Sequence, residues 1–234
     1  MIRLNLVVEG QTEEAFVNEV LAIPLANVDV FVSVRCVETS RRHAKIYRGG
    51  ILSYEKLKGD LSRSMRQDRH PECWFTTMID LYGLDRLRDE FPGFSGIRQE
   101  HDPRRRVTAL EQSFAADINH PRFIPYLQLH EFEALILSDP QKLDWEFIDR
   151  DREIARLVEL ASTVESPELI NDGEDTSPSH QIIQVIPEYQ GRKSSAGPLI
   201  AGKIGLLTLR RKCPHFAEWV DRLEALGQQS EGGV

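Results

Sequence analysis

Three short apolar runs, each followed by carboxylates, constrain the fold of this chain more than any other feature. The runs are residues 4–8, 74–79 and 123–129. The first has the density of a strand that is buried on both faces, and Gly10 then allows a tight turn into a helix. Buried strands separated by helical segments predict an α/β fold, with a mostly parallel sheet flanked by helices.

The carboxylates after these runs are the candidate site residues. They are Glu9 and Glu13 after the first run, Asp80 after the second, and Glu131 and Glu133 after the third. Because ligands bind at the carboxyl ends of parallel strands, we expect these acids to converge there. Crowded carboxylates raise one another's pKa, and a divalent cation removes that penalty. Oxygen ligands without paired histidines or cysteines favour Mg²⁺ or Mn²⁺ over zinc.

A structural interpretation also exists for the first stretch. Glu13 and Glu14 favour a helix N-terminus electrostatically, and Glu9 would then be a solvated turn residue. Three acidic strand ends in equivalent positions favour the metal site over this alternative. Glu131 and Glu133 are expected in the first turn of a helix that follows the third strand.

Length and composition bound the class of protein. The chain has 234 residues and is 41% hydrophobic, enough for one large domain or for one domain with a small helical extension. No segment approaches the roughly 20 apolar residues of a membrane-spanning helix, and no signal-peptide pattern precedes the first strand. We therefore expect a cytoplasmic protein with no membrane contact. The cysteines fit neither a disulfide framework nor a zinc site; they are Cys36, Cys73 and Cys213.

The net charge of -8 argues against a basic coat for nucleic acid, yet the positive charges are clustered. Such clusters can follow phosphates on an acidic protein if they converge on one face. Solvated helix faces and loops are the alternative for each cluster taken separately. The candidate nucleic-acid-binding residues are Arg41, Arg42, Lys45, Lys58, Arg63, Arg66, Arg104 and Arg105.

The rest of the chain predicts a core with a helical extension. Residues 28–36 alternate as a half-exposed strand does, and the basic stretch 41–50 is either a loop or a hairpin. Amphipathic helices are expected over 51–65 and 107–118. Beyond Pro140 the pattern changes to helical segments with irregular joints. We expect a core over 1–140, a mainly helical region packed on it over 141–227, and a disordered tail over 228–234.

Two pairs of segments carry a family resemblance. Residues 8–13 (Val-Glu-Gly-Gln-Thr-Glu), followed by 79–83 (Ile-Asp-Leu-Tyr-Gly), resemble the TOPRIM signature of topoisomerases, primases and the overcoming-lysogenization-defect (OLD) nucleases. The Glu-Gly-x-Thr-Glu form is closer to the OLD branch. Residues 124–135 and 212–219 are similar to a bacterial family long catalogued as a domain of unknown function. That family includes a toxin-like TOPRIM effector of a phage-defence system, and the resemblance covers nearly the whole chain.

The resemblance implies roles for individual residues. Glu9 would be the TOPRIM glutamate, in metal binding or acid–base chemistry, and Glu13 a second metal ligand. Asp80 matches the first aspartate of the Asp-x-Asp motif, but Tyr82 occupies the position of the second. A standard two-metal site is therefore one ligand short, unless an acid after the third run replaces it. OLD-type sites add a lysine, and the candidates here, between which the sequence does not choose, are Lys193 and Lys203.

The resemblance also implies a fold and an activity. A TOPRIM-like, Rossmann-like catalytic core would hold Mg²⁺ or Mn²⁺ and cleave RNA or DNA, with structured RNA such as tRNA as a substrate candidate. The protein would act as an anti-phage effector with an ABC-type ATPase encoded nearby, and a homodimer is also expected. An alternative, which Tyr82 favours, is a non-catalytic TOPRIM scaffold that binds the ATPase or RNA. A third alternative is a small-molecule phosphohydrolase, which predicts a closed pocket around the acids.

Overall fold

Five strands form a parallel sheet at the centre of the molecule, and a separate antiparallel pair lies off it. The computed structural model describes residues 1–42, 45–48, 53–84, 87, 90–97, 99–170 and 176–229. The strands are β1 (Ile2–Val8), β2 (Val30–Cys36), β3 (Glu38–Arg42), β4 (Lys45–Arg48), β5 (Cys73–Asp80), β6 (Phe123–Ile124) and β7 (Leu127–Gln128). The sheet order is β2-β1-β5-β6, and β7 also pairs with β5. The predicted α/β fold with a mostly parallel sheet is confirmed.

Helices cover both faces of this sheet. They are α1 (Gln11–Phe16), α2 (Ala22–Ala26), α3 (Tyr54–Gln67), α4 (Leu81–Leu84), α5 (Pro103–Ile118), α6 (Glu133–Ile136), α7 (Asp151–Ser162), α8 (Pro178–Val185), α9 (Lys193–Ile204), α10 (Leu206–Lys212) and α11 (Pro214–Gln229). A π-helical turn, Val17–Leu21, joins α1 to α2. Short 3₁₀ helices span Phe94–Ile97, Pro140–Trp145, Pro167–Leu169 and Pro187–Gly191. None of the described helices is both long and apolar enough to cross a membrane.

The first apolar run forms the middle of the sheet because both of its faces are covered. Strand β1 pairs with β2 on one side and with β5 on the other, both in parallel. Leu4, Leu6 and Val8 face one apolar core, whereas Val7 faces the other. This is the alternation of a strand with two buried faces, and it explains why the run contains so few polar residues.

The third apolar run is interrupted where one continuous strand was expected. Strands β6 and β7 have two residues each, and Pro125 and Tyr126 lie between them. The Tyr126 N–H, which faces β5, donates to the Thr77 hydroxyl at 3.0 Å, and this side-chain bond lies where the ladder is interrupted. Side chains of β5 compensate, because the Thr76 hydroxyl donates to the Ile124 carbonyl at 2.6 Å and the Thr77 hydroxyl to the Tyr126 carbonyl at 3.0 Å.

Residues on both sides of position 140 share one hydrophobic core. Leu4 and Leu6 of β1 pack in the same cluster as Leu157 of α7, Ile200 of α9 and Phe216 of α11. The opposite face of the sheet is covered mainly by α3 and α5. The helical region beyond 140, together with α1 and α2, therefore builds one of the two layers that enclose the sheet.

Two expectations about the ends of elements are resolved by the structure. The basic stretch after β2 contains an antiparallel pair, β3 with β4, so the hairpin alternative is correct for its described residues. The tail was expected to be disordered from residue 228, but α11 continues to Gln229. The helix continues because its apolar face packs on the core through Leu223 and Leu226 up to that point. Residues 230–234 of the predicted tail lie outside the described residues.

Candidate functional site

The five acids predicted from the sequence come together at one edge of the sheet. Strand β1 ends at Val8 opposite Met78 of β5, and Asp80 of β5 lies opposite Gln128 of β7. The carboxyl ends of these strands are therefore adjacent. The Asp80 carboxylate lies close enough to the other four acids that each raises its pKa, namely Glu13, Glu9, Glu133 and Glu131. We call these five residues the acidic cluster.

Asp80 lies at the centre of the acidic cluster. Its pKa is held well above the ordinary value, first by burial and then by the charges of its four acidic neighbours. The residue as a whole is partly exposed, but its Oδ1 atom is buried. Within the described part of the chain, no group donates a hydrogen bond to this oxygen. A buried carboxylate oxygen without a donor is costly, so Asp80 is suited to receive a proton or a cation.

Glu9 is held at the end of β1 by the backbone of β5. Its Oε2 atom accepts a hydrogen bond from the Asp80 N–H at 3.3 Å. The carboxylate also lies over Gly83, where an added Cβ would be 3.0 Å from Oε2. The glycine in α4, which directly follows β5, therefore leaves the space that the Glu9 carboxylate occupies.

Glu13 closes the first turn of α1. Its Oε2 accepts the Gly10 N–H at 2.8 Å, as in a capping box. Glu13 therefore does stabilise the N-terminus of a helix, as the alternative interpretation of this stretch predicted. Burial, followed by the charge of Glu9, also raises its pKa to about 7. Glu14, the next residue, accepts a hydrogen bond from the Cys36 thiol at 3.3 Å. Of these neighbouring glutamates, Glu13 belongs to the acidic cluster.

Glu131 precedes the helix in which it was expected. His130 adopts a left-handed conformation with φ of 61°, and α6 begins only at Glu133. This turn directs Glu131 toward α8, where its Oε2 accepts the Ser179 N–H at 2.9 Å. The expectation that Glu131 lies in the first helical turn is therefore wrong, because the chain turns before the helix starts.

Glu133 is the acid that contacts the helical region most closely. Its Oε1 accepts a hydrogen bond from the Tyr189 hydroxyl at 3.3 Å and lies 3.5 Å from the Lys193 ammonium. Burial raises its pKa to about 7; the Lys193 charge opposes this shift, and Glu131 and Glu13 add to it. Glu133 can thus hold or release a proton near neutral pH while a cation stands beside it.

The structure separates the two lysines between which the sequence did not choose. Lys193 begins α9 and contacts the acidic cluster through Glu133. Lys203 lies ten residues later, about 15 Å along the helix axis, and its ammonium rests 4.2 Å from the centre of the Trp145 ring. Lys203 therefore does not lie with the acids, because the helix carries it away from the sheet edge.

Tyr189, Ser179 and Gly197 complete the site and were not predicted from the sequence. Gly197 allows α9 to approach closely, since an added Cβ would lie 3.2 Å from the Phe132 ring and 3.3 Å from the Tyr189 hydroxyl. The signals available were weak. A tyrosine four residues before Lys193 and a small residue four after it are compatible with a helix-packing role alone.

Most of the predicted nucleic-acid-binding residues whose side chains are described have acidic partners. Lys58 bonds Asp117 at 2.8 Å, Arg63 bonds Asp60 at 2.8 Å, and Arg104 lies 3.8 Å from Glu165. These contacts are typical of structural ion pairs at helix surfaces. The side chains of Arg41, Arg42 and Lys45 lie outside the part of the chain that the structure describes.

The two remaining candidates, Arg66 and Arg105, are exposed. Arg66 lies two residues before Asp68, whose carboxylate pairs with Arg3 at 2.6 Å near the start of β1. This is the opposite edge of the sheet, about 20 Å along the strand from Glu9. Arg66 therefore does not adjoin the acidic cluster, because α3 ends at the amino edge of the sheet.

The acidic cluster fits a hard divalent cation by the chemistry of its donors. It offers carboxylate oxygens, including the buried Oδ1 of Asp80, which lacks a donor among the described residues. No group of three or more histidine, cysteine, aspartate or glutamate side chains in the described ranges is already spaced to hold a metal ion. A cation that binds here would have to draw the carboxylates closer together.

Comparison with known proteins places the chain in a family. Residues 8–224 match the family model described as "Domain of unknown function (DUF4276)". No curated protein and no solved structure matches the chain. The matched range contains the whole acidic cluster together with Lys193, and it covers well over half of the sequence. The chain therefore belongs to the DUF4276 family.

Proposed function

We propose that this protein is a metal-dependent nuclease of the TOPRIM type, which hydrolyses phosphodiester bonds in a nucleic acid with Mg²⁺ or Mn²⁺. The observation that supports the proposal is the meeting of carboxylates from three strand ends around Asp80. Burial and the four neighbouring acids raise the pKa of Asp80 well above its ordinary value. So many carboxylates at one buried position are destabilising unless protons or a cation neutralise them.

The residues of the acidic cluster divide into two groups in this proposal. Glu9, Glu13 and Asp80 would hold the cation, with Glu131 in the place of the ligand that Tyr82 does not supply. A divalent cation, when bound, orients the phosphodiester and neutralises charge that develops in the transition state.

Glu133 and its partners supply the remaining chemistry. Its pKa of about 7 suits it to take a proton from water or to return one to the leaving oxygen at neutral pH. Lys193, whose ammonium lies 3.5 Å from Glu133, offers a positive charge to a phosphate oxygen. Tyr189 keeps the Glu133 carboxylate in place through its hydroxyl.

The biological setting of this activity rests on the sequence resemblance. A structured RNA such as tRNA is the proposed substrate, and the protein would serve as an anti-phage effector partnered by an ABC-type ATPase. A homodimer is part of the same proposal.

The experiment that tests the function separates metal binding from cleavage. Titration of the purified protein with Mn²⁺, followed by electron paramagnetic resonance, should show binding that Glu9→Ala and Asp80→Asn both weaken. Glu14→Gln is the matched control, since Glu14 lies beside Glu13 on α1 but contacts Cys36. Absence of Mn²⁺ binding at millimolar concentration would refute the metal-dependent mechanism.

Cleavage is then measured on labelled tRNA and on DNA, with Mg²⁺ or with chelator, using the chain together with its ATPase partner. Wild-type and Glu14→Gln proteins should cleave, and Glu9→Ala should not. Cleavage that persists in chelator, or that survives Glu9→Ala, would show that the acidic cluster is not the catalytic centre.

A non-catalytic TOPRIM scaffold is the second candidate function. It is favoured by Tyr82 at the position of the second aspartate, and by the spacing of the acids, which is not that of a formed metal site among the described residues. The scaffold predicts RNA or ATPase binding that is unaffected by Mn²⁺ and by Glu9→Ala. The Mn²⁺ titration therefore distinguishes the two functions.

A further inference from the structure

A buried polar network lies next to the acidic cluster and has no part in the proposed chemistry. Its centre is Leu127, the first residue of β7, whose N–H donates to Glu111 Oε1 at 2.8 Å. The Leu127 carbonyl oxygen lies 3.1 Å from His215 Nε2, and that nitrogen is also 3.1 Å from Glu111 Oε1. Both atoms that face Nε2 are oxygen acceptors, so Nε2 carries a hydrogen and donates it.

These contacts occupy the open edge of the sheet. The N–H and C=O of one residue in a strand point to the same side, and β7 pairs with β5 on its other side. Glu111 from α5 and His215 from α11 thus bind the two backbone groups that a further strand would bind. Among the described residues, they substitute for that strand at Leu127.

His215 is itself held rigidly. The N–H groups of His215 and Phe216 donate to the two oxygens of Glu168, at 3.0 and 2.9 Å. The imidazole stacks on the Tyr126 ring, which in turn stacks on Trp219 with 4.2 Å between ring centres. The network therefore fixes the position of its Nε2 atom relative to the strand.

The location of Leu127 gives this network a consequence for the site. Strand β7 has only two residues, so few backbone hydrogen bonds join it to β5, and the contacts of Glu111 and His215 with Leu127 add to them. Three residues after Leu127 the chain turns through His130 and delivers Glu131 and Glu133 to the acidic cluster. The position of β7 therefore determines where both acids lie.

We infer that Glu111 and His215 are positioning residues, which hold the edge of β7 in place and thereby position Glu131 and Glu133. The inference deepens the proposed function and rests on it for its relevance to metal binding. The placement itself is tested without any activity measurement.

The test uses hydrogen exchange of two backbone amides, followed by NMR. Leu127 reports on the strand edge, and Ser179, whose N–H donates to Glu131, reports on the position of that acid. His215→Ala and Glu111→Ala should lose protection at both amides. His215→Gln retains a hydrogen-bond donor and Glu111→Gln retains an acceptor, so both variants should keep most of the protection at the two amides. The controls are the exposed neighbours on the same helices, Gln112→Ala and Glu218→Ala.

The same variants are titrated with Mn²⁺ alone. We expect the alanine variants to bind it about 10- to 100-fold more weakly, as for residues that orient metal ligands, and the control variants to bind it like the wild type. Loss of protection at Leu127 with unchanged protection at Ser179 would overturn the inference, because the edge would then not position Glu131.

The positioning role can be tested even if the proposed function fails or if the alanine variants misfold. A wild-type protein that binds no Mn²⁺ overturns the proposed function, whereas paired loss of protection at Leu127 and Ser179 still supports the positioning role. If the alanine variants do not fold, the tautomer of wild-type His215 is read from nitrogen chemical shifts. Hydrogen on Nε2 supports the inference, and a neutral imidazole with its hydrogen on Nδ1 overturns it.

Discussion

Replacing Glu13 by glutamine removes one ionisable group from the acidic cluster and keeps the shape of the side chain. Glutamine still offers an oxygen to the Gly10 N–H, which Glu13 now accepts at 2.8 Å. The capping of α1 is therefore largely retained. What changes is the ability of position 13 to carry a negative charge beside Glu9 and Asp80.

The size of the effect follows from the pKa of Glu13. The residue is 6% exposed, and burial followed by Glu9 raises its pKa from 4.5 to about 7. Between these two values the folded state binds more protons than the unfolded state, so the free energy of unfolding falls as the pH rises. The loss is complete above about pH 7 and amounts to about 3 kcal/mol, at about 1.4 kcal/mol for each pH unit.

Urea unfolding of metal-free wild-type and Glu13→Gln proteins, from about pH 4.5 to pH 8, measures this difference. We expect the variant to be more stable by about 3 kcal/mol at pH 8 and nearly equal to the wild type at pH 4.5. Glu14→Gln, the neighbouring control, should differ from the wild type by less than about 0.5 kcal/mol at every pH. A difference between Glu13→Gln and wild type that stays constant with pH would refute the reasoning.

Three further substitutions and one control probe the packing and charge around the acids. Gly83→Ala places a methyl group 3.0 Å from Glu9 Oε2. Because the end of a carboxylate side chain can move away, we expect the free energy of unfolding to change by less than about 1 kcal/mol. The displaced carboxylate should, however, bind Mn²⁺ about tenfold more weakly. Gly197→Ala instead meets an aromatic ring carbon at 3.2 Å, so urea unfolding should show a loss of about 1–3 kcal/mol. Lys193→Met should lower the cleavage rate about 100-fold, and Lys203→Met should leave it unchanged, when both are assayed under identical conditions.

The sheet and the convergence of the acids could be read from the sequence because both follow from short-range patterns. A run as apolar as residues 4–8 requires cover on both faces, and parallel neighbours satisfy that requirement. Once β1, β5 and β7 are parallel, the acids that follow them meet at one edge, whatever the intervening helices do. The prediction thus needed no knowledge of the loops.

The partners of each acid could not be read in the same way, because they depend on contacts between distant residues. Ser179 reaches Glu131 only because His130 turns the chain before α6 starts. The interruption of the third strand likewise depends on hydroxyl groups of β5, which bind the carbonyls on either side of Pro125. The apolar pattern predicts one strand there, whereas hydrogen bonds to side chains of β5 divide it into two short segments.

The residues before and after position 140 contribute different groups to the site. All five acids precede residue 140, and two of them, Glu9 and Glu13, accept backbone N–H groups from the same part of the chain. Glu131 and Glu133 are contacted by groups from beyond residue 140: the Ser179 N–H, the Tyr189 hydroxyl and the Lys193 ammonium. The sheet therefore concentrates negative charge at one edge, and the helical region supplies the donors and the cation that keep two of those carboxylates in place.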